Sequence, residues 1–218
     1  MVVIGNYINM AKIRFRLAKP SDAKQIADCH WHVRDRYKQG IFISLGKRFL
    51  HAYYEIMLND PNEIVVCAEN GNGEIVGFAS GTLDANSQAK SIRKSKFKLG
   101  CFALFGLLTH PSYIKGVWQR YKSLDNKGKQ KFLHMEGARS EYLCWKKGDE
   151  NSMCMMLLDR IKNKIFVDFG IKEVYFEIDR HNEKLFQSKV NDKKTILVEE
   201  YQLPDGRVRG LFKRILIK

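Results

Sequence analysis

Hydrophobic and polar positions recur with two periods along the 218-residue chain, and together they predict an α+β protein. Alternating runs rich in β-branched and aromatic residues predict strands over residues 12–17, 64–69, 74–83, 140–145, 172–178, 195–202 and 207–217, with hairpin turns at 70–73 and 204–206. Helical spacing of apolar residues predicts helices that begin near residue 19 and that cover 49–58, 151–169 and 181–190. Asp22 and Gln25 have the spacing of a capping box at the start of the first helix. The predicted order is β-α-α-β-β-(insert)-β-α-β-α-β-β.

The composition is that of a soluble globular protein, with 44% hydrophobic and 28% charged residues. We expect a single domain over residues 1–218, because a chain of this length can bury one sizeable core. The first residues lack a basic segment followed by an apolar one, and the longest apolar stretch, 101–108, is too short to span a bilayer. We therefore expect neither a signal peptide nor a membrane span.

The cysteines and histidines indicate neither a disulfide framework nor a metal centre. The five cysteines are scattered and contain no C-x-x-C pair, which is typical of reduced thiols in a cytoplasmic protein. His30 and His32 stand two residues apart on a predicted helix, so they lie on different faces. We expect no metal.

Positive charge is concentrated in one part of the chain. The net charge is +14, and residues 88–133 contain eleven basic residues and one acid, Asp125. They belong to a basic and partly apolar insert between the third and fourth strands, residues 85–136. Such a segment suits a polyanionic partner, or it is a solvated surface. Apart from charge the chain has no nucleic-acid-binding motif, so we expect no nucleic-acid partner.

The segment EYLCWKKGDENSMCMMLL, residues 141–158, carries the clearest functional signal. It predicts a strand that passes through a polar turn directly into a helix. The first backbone N–H groups of such a helix are unpaired and its dipole is positive at that end, so the site favours an anion such as phosphate. Turns that hold phosphate usually contain several glycines, whereas this one contains only Gly148 before the helix.

Several segments resemble the GNAT superfamily of N-acetyltransferases. They are IRFRLAKPSDAKQIADCH at 13–30, EIVVCAENGNGEIVGFASGTL at 63–83, and EYLCW at 141–145 ahead of a helix with a Leu-Leu pair at 157–158. The motif FISLG at 42–46 and the long insert further resemble a bacterial subset. The resemblance implies a mixed, mostly antiparallel central sheet flanked by helices, splayed between strands four and five, with a helical insert.

The resemblance also implies acetyl-CoA as cosubstrate. The pyrophosphate would lie at the start of the 151–169 helix, and the pantetheine arm would pair with the 142–145 backbone like an added strand. A main-chain N–H near Cys144 would polarise the thioester carbonyl. The implied cofactor-binding residues are Tyr142, Leu143, Cys144, Trp145, Lys147, Asn151, Ser152, Met153, Cys154 and Asn182.

Glu141 is the candidate general base, since it matches a glutamate that many family members carry on this strand. It would take a proton from the attacking amine, directly or through water. Alternatively, Glu141 is an ordinary strand carboxylate that faces solvent or pairs with Lys172 or Arg139. Glu136 and Glu177 are the other candidates for the base.

Tyr201 is the candidate general acid. Family members often carry a tyrosine six or seven residues after the asparagine that aligns with Asn182, but Ser188 and Lys189 stand at these positions. Tyr201, Tyr175 and Lys189 are the groups that could protonate the departing thiolate instead, and the sequence does not choose among them.

The phosphate loop departs from the family pattern Q/R-x-x-G-x-G/A. Aligning the leucine pair places Asp149, Ser152 and Cys154 at the three marked positions. Asp149 is adverse beside an anion if it faces the ligand, and harmless if it caps the helix. Lys146 and Lys147 either supply positive charge or are solvated turn residues.

The sequence therefore predicts an N-acetyltransferase that moves an acetyl group from acetyl-CoA to a primary amine of a small molecule, such as an amino sugar or a nucleotide-linked amino sugar. The alternative is a catalytically impaired acyl-CoA-binding or interaction protein of the same fold. For the insert, three roles stay open: a lid over the acceptor cleft, a weak contact with an anionic membrane surface, or a homodimer interface.

Overall fold

The computed structural model describes residues 13–35, 41–109, 114–115, 136–149, 151–203 and 206–217. Within them seven strands form one sheet in the order β1-β2-β3-β4-β5-β7-β6. The strands are β1 (Arg14–Leu17), β2 (Glu63–Glu69), β3 (Ile75–Thr82), β4 (Arg139–Trp145), β5 (Glu173–Asp179), β6 (Thr195–Gln202) and β7 (Val208–Ile215). All neighbours are antiparallel except β4 and β5, which are parallel.

Helices cover both faces of the sheet. They are α1 (Ala23–His32), α2 (Ile41–Ser44), α3 (Lys47–Met57), α4 (Ala85–Lys94), α5 (Lys96–Thr109), α6 (Met155–Asp168) and α7 (Glu183–Val190). Short 3₁₀ segments precede α1 (Pro20–Asp22) and α6 (Ser152–Cys154). The α+β fold, the mostly antiparallel sheet and the flanking helices of the sequence prediction are confirmed.

The period-two pattern of the central strands decides which helix each side chain meets. In β2, Val65 and Cys67 belong to the core beneath α1 and α3, whereas Val66 and Ala68 belong to the core beneath α6. Successive strand residues point to opposite faces, so a strand buried on both faces must be apolar throughout. The run IVVCA in β2 meets this requirement.

The insert begins as two helices that pack on the α3 side of the molecule. A β-carbon on Gly106 of α5 would lie 2.1 Å from the Leu45 carbonyl oxygen, so only glycine lets α5 approach this closely. At the other end of α5, Lys98 pairs with Glu55 of α3 at 2.7 Å. The helical character predicted for the insert holds for α4 and α5; residues 110–113 and 116–135 lie outside the described residues.

One local prediction is wrong. Asp22 and Gln25 do not form a capping box: Asp22 accepts from the Lys19 amide at 2.7 Å and pairs with Arg16, while Gln25 accepts from the Ile75 amide at 3.0 Å. Both side chains therefore tie the start of α1 to neighbouring strands. In the part of the chain that the structure describes, no helix is long and apolar enough to cross a membrane.

Candidate active site

A wedge-shaped opening separates β4 from β5. Arg139 and Tyr175 form the one register pair between these parallel strands in the described residues, and the Tyr175 amide donates to the Ala138 carbonyl at 2.9 Å. Beyond this pair β4 continues along β3, and β5 continues along β7. The two strands therefore touch at an apex and then diverge, which confirms the predicted splay between strands four and five.

A β-bulge sets which backbone groups of β4 face the wedge. Ala79 pairs with Leu143 but Gly81 pairs with Ser140, so β4 carries one extra residue, and the Tyr142 amide donates to Ser80 Oγ at 3.2 Å. Farther along, the Lys146 amide donates to the Val76 carbonyl on β3 at 2.8 Å. Because antiparallel strands alternate, the Leu143 and Trp145 amides point the other way, towards the wedge.

Lys162 supports the apex from the α6 side. Its side chain is completely buried, and its Nζ donates to Ser140 Oγ and, at 3.1 Å, to Asp159. Burial lowers the pKa of Lys162, although Asp159 opposes that shift. Asp159 also pairs with Arg214 of β7 at 2.9 Å. The lysine thus links α6, β4 and β7 behind the opening.

Glu141 lies at the apex on the opposite face, and its two carboxylate oxygens differ. Oε1 accepts from Arg139 at 2.5 Å and from Gln88 at 2.9 Å. Among the described residues, Oε2 has only the Tyr53 hydroxyl, at 3.5 Å, which is longer than an ordinary O–H···O bond. The side chain is 9% exposed. One oxygen therefore fixes the carboxylate, and the other has only a weak hydrogen bond among the described residues.

A second carboxylate stands behind Glu141. Gln88 of α4 is 1% exposed and bridges the two acids, donating to Glu63 Oε1 at 2.7 Å and accepting from Arg139 at 2.8 Å. Burial, and then the charge of Glu141, raise the pKa of Glu63 to about 9, so it is a neutral carboxylic acid at pH 7. Burial alone would lower the pKa of Arg139, but the neighbouring Glu141 raises it. The group thus carries one cation and one anion.

Buried aromatic side chains form the wall beside Glu141. Tyr54 is hydrogen-bonded through its hydroxyl to His30 Nδ1 at 2.8 Å, and the His30 ring lies 4.6 Å from the Tyr142 ring. Burial lowers the pKa of His30 to about 3, so this imidazole is neutral. Burial, with Glu141 nearby, raises the pKa of Tyr142. The Tyr142 side chain therefore packs against the core, and its amide is bonded to Ser80 Oγ of β3 rather than directed at the wedge.

Across the wedge lies a second polar group on β5, β6 and β7. Arg209 donates to Glu177 at 2.8 Å, and the Tyr201 hydroxyl interacts with both. Burial and the Glu177 charge raise the pKa of Tyr201, so its hydroxyl stays protonated at neutral pH. Glu177 also acts electrostatically on Arg139, which joins the two polar groups. Tyr201 is nevertheless two strands from β5, a separation of about 10 Å at ordinary strand spacing.

Three buried polar atoms around the opening have no hydrogen-bond partner among the described residues. They are Glu63 Oε2, Arg139 Nη1 and Glu177 Oε1. Buried polar atoms are nearly always paired in folded proteins, so an unpaired one requires an explanation, such as a water, an ion or a functional contact. Arg139 offers a donor and Glu177 an acceptor, which together match a ligand with hydroxyl or amino groups.

At the other end of β4 the turn into α6 is internally bonded. Asp149 Oδ1 accepts from the Asn151 amide at 2.8 Å and from Trp145 Nε1 at 3.0 Å. The Asp149 carbonyl accepts from the Ser152 amide at 3.3 Å, and the Asn151 carbonyl from the Cys154 amide at 2.8 Å. Asp149 is therefore not the helix N-cap, which is Asn151 for the 3₁₀ segment; its side chain closes the turn that leads into this residue.

The other predicted cofactor residues surround this end of the wedge. Ser152, Met153 and Lys147 are exposed, whereas Cys144 and Cys154 are buried. Asn182 is exposed at the start of α7, at the same carboxyl edge of the sheet as Trp145. Their roles in cofactor binding stay predictions.

Sequence reasoning missed Gln88, Glu63 and Arg209. Gln88 belongs to the insert and Arg209 to the last strand, so nothing local links either to the site. Arg139 was considered as a partner of Glu141, and their spacing of two on one strand was a usable signal, since such side chains share a face. Glu136, another candidate base, is exposed at the bend before β4. In the described ranges no cluster of His, Cys, Asp and Glu could hold a metal ion.

No protein-family model and no curated protein matches the chain. Solved structures resemble it, among them a protein of Desulfovibrio desulfuricans assigned to the GNAT family of acetyltransferases, at 9% identity and TM-score 0.54 over 94% of this chain and 99% of that one. PaiA N-acetyltransferase from Thermoplasma acidophilum, in complex with coenzyme A, is 12% identical with a TM-score of 0.52, over 93% of this chain and 98% of that one. An aminoglycoside 6′-N-acetyltransferase complexed with coenzyme A is 11% identical with a TM-score of 0.52, over 94% of this chain and 98% of that one. The chain has the fold of the GNAT acetyltransferases.

Proposed function

We propose that the protein is an N-acetyltransferase that moves an acetyl group from acetyl-CoA to the primary amine of a small molecule. The observation that carries the proposal is Glu141, whose Oε1 is held by Arg139 and Gln88 while Oε2 has, among the described residues, only a long contact with the Tyr53 hydroxyl. The likeness to solved acetyltransferases supports the reaction class, and two of those structures contain coenzyme A.

The residues of the wedge suit each step of acyl transfer. Coenzyme A supplies the activated thioester. The extended arm would run along the edge of β4, where the Leu143 and Trp145 amides are directed, and one of these amides would donate to the thioester carbonyl oxygen. Oε2 of Glu141 would take the proton of the attacking amine, directly or through one water. Tyr201, whose hydroxyl keeps its proton, is our candidate to protonate the departing thiolate.

For the acceptor we propose a hydroxyl-rich amine such as an amino sugar. Arg139 Nη1 and Glu177 Oε1 supply one donor and one acceptor near Glu141, and a hydroxyl group can satisfy either. The two polar groups contain as many cations as anions, Arg139 and Arg209 against Glu141 and Glu177, which favours an acceptor with little net charge beyond its amine. Solved relatives of this fold include aminoglycoside and spermidine acetyltransferases, so both kinds of amine belong in the test.

Two measurements test the proposal. Isothermal titration with acetyl-CoA should show saturable binding; no heat at millimolar cofactor would remove it. A thiol-release assay over amino sugars, nucleotide-linked amino sugars, polyamines and peptides should then show turnover with a hydroxylated amine. Tyr201→Phe should slow turnover without changing acetyl-CoA affinity, and unchanged turnover would exclude Tyr201 as the acid.

One observation favours the second candidate, a cofactor-binding or interaction protein with little turnover. The helix start that would hold the phosphates is already bonded within the chain through Asp149. Saturable acetyl-CoA binding with no thiol release from any amine of the panel would support this candidate over the enzyme.

For the insert we propose a weak contact with an anionic lipid surface. Phe97, Leu104 and Leu108 of α5 are 84%, 60% and 72% exposed, and the basic α4 precedes them. Apolar anchors beside lysines suit an anionic membrane surface. Co-sedimentation with anionic vesicles at low salt should capture the protein. No capture, with a dimer in analytical ultracentrifugation, would assign the same surface to self-association.

We place the protein in the cytoplasm, since all five cysteines are free and Cys101 is exposed.

A further inference from the structure

Four backbone amides at the start of the α6 segment are bonded within the chain itself. The Asn151 amide donates to the Asp149 carboxylate, the Ser152 amide to the Asp149 carbonyl, and the Cys154 amide to the Asn151 carbonyl. The Met155 amide donates to the Ser152 carbonyl. An anion binds at a helix start because unpaired N–H groups point at it. Here the amides of Asn151, Ser152, Cys154 and Met155 are engaged within the turn.

The Asp149 carboxylate is also held in place. Its Oδ1 accepts from Trp145 Nε1 as well as from the Asn151 amide. The indole is 4% exposed and lies flat against Gly77, where a β-carbon would come within 2.3 Å of the ring. Buried packing therefore fixes the Trp145 donor, and two donors fix the carboxylate. An incoming pyrophosphate would meet a negative charge at the helix start.

The other part of the cofactor site lacks this obstacle. The Leu143 and Trp145 amides are directed to the wedge on the side that β5 has left, where an uncharged arm can pair with them. The two parts of the site thus differ: the edge of β4 is open to the arm and thioester, whereas the turn does not fit the phosphates.

We infer that this protein recognises its thioester donor through the pantetheine arm and the acyl group, and that the pyrophosphate of coenzyme A contributes little to binding. The inference rests on the proposed function, because it concerns the donor of that reaction. The carboxylate of Asp149 takes the place that a phosphate oxygen would occupy at the helix start.

The test compares two probes by isothermal titration at low salt, where attraction to phosphate is strongest. Acetyl-CoA carries the pyrophosphate, and S-acetylpantetheine has the same thioester arm without any phosphate. We expect dissociation constants within about threefold of each other. Acetyl-CoA binding more than about thirtyfold tighter would overturn the inference and would mean that Lys146 and Lys147 hold the phosphates despite Asp149. Binding of neither probe would overturn the proposed function and this inference with it.

Asp149→Asn sharpens the comparison, because asparagine keeps an acceptor for Trp145 and Asn151 but removes the charge. It should tighten acetyl-CoA binding by about tenfold and leave S-acetylpantetheine unchanged. Asp168→Asn, with the same charge change at the far end of α6, should alter neither affinity. An Asp149→Asn variant that is folded at the assay temperature and does not tighten acetyl-CoA binding would show that its charge is not what excludes the phosphates.

Discussion

The two ends of β4 each carry a carboxylate beside a buried aromatic side chain, and the two carboxylates have opposite surroundings. At the apex, one Glu141 oxygen has only a long contact in the part of the chain that the structure describes, and there one polar atom each of Arg139 and Glu177 has no partner. At the turn, Asp149 and the amides around it bond to one another. Unpaired buried groups weaken a fold, so under the proposed function a ligand pairs with them at the apex, whereas the bonds within the turn stabilise the chain itself.

The largest expected effect is at the apex. Glu141→Gln should lower kcat/KM for acetyl transfer by roughly 100-fold or more, because the amide cannot take the proton of the amine. The thiol-release assay measures it, and the acetyl-CoA dissociation constant should not change. Glu199→Gln, an exposed change on β6, is the matched control. Full activity in Glu141→Gln would leave Glu177 as the base to test next.

Two glycines of β3 test the ends of β4 separately. A β-carbon on Gly81 would lie 2.4 Å from the Arg139 carbonyl oxygen, and one on Gly77 would lie 2.3 Å from the Trp145 ring. Gly81→Ala should lower the free energy of unfolding by about 3 kcal/mol, and Gly77→Ala by less, since a ring can shift more easily than backbone.

Urea denaturation measures both glycine variants. Gly100→Ala on α5 is the control of opposite sign: a β-carbon there meets nothing within 4 Å, and alanine should stabilise the helix by up to about 1 kcal/mol. Equal stability of Gly81→Ala and the parent would mean that β4 is not held tightly against β3 at the apex.

The neutral acid Glu63 gives the apex its own pH dependence. The folded state keeps this proton up to about pH 9, whereas the unfolded chain loses it near the ordinary pKa of 4.5. Between these values the unfolded state binds fewer protons, so this group makes stability fall as pH rises. Glu63→Gln should therefore stabilise the protein by roughly 2 kcal/mol at pH 8 and by little at pH 4. Denaturation at pH 4 and pH 8 measures the change in unfolding free energy, with Glu199→Gln as control. If Glu63→Gln stabilises the protein equally at both pH values, Glu63 does not titrate between them.

The smallest effect concerns the turn. Asp149→Ala removes an acceptor from the Asn151 amide and from the Trp145 indole, and should cost about 1 kcal/mol of unfolding free energy, as for the loss of a helix cap. Thermal melting measures this loss of unfolding free energy, and Asp149→Asn should lose only about half as much. If the alanine variant melts like the parent, the internal bonds of the turn do not stabilise the helix start.

The sequence predicted elements well where periodicity was long. Residues 195–202 were predicted as a strand, and β6 has the same bounds. The helix predicted over 151–169 is the 3₁₀ segment Ser152–Cys154 followed by α6. The Asp22–Gln25 box failed because Arg16 and the Ile75 amide compete for these side chains, and such contacts come from distant strands.

The candidate site was predicted only in part, for the same reason. Glu141 was found from its place on a recognisable strand. Gln88, which holds it, lies 53 positions away in the insert, where no local pattern points to the site. Likewise, Asp149 could be assigned either to a cap or to a ligand site until the positions of the Trp145 indole and the Asn151 amide were known.

The single register pair between β4 and β5 also affects how the molecule opens. Strands β1 to β4 are joined by antiparallel pairing, and so are strands β5 to β7. In the described residues, few backbone hydrogen bonds join β4 to β5 across the boundary between these half-sheets, which we call the seam. Amide protons near the seam should therefore exchange through a local opening that costs less than global unfolding. A thioester arm lying in the wedge would pair with β4 like an added strand. On addition of acetyl-CoA, the amide protons of Leu143 and Trp145 should then exchange more slowly, which would show that the arm joins the two half-sheets.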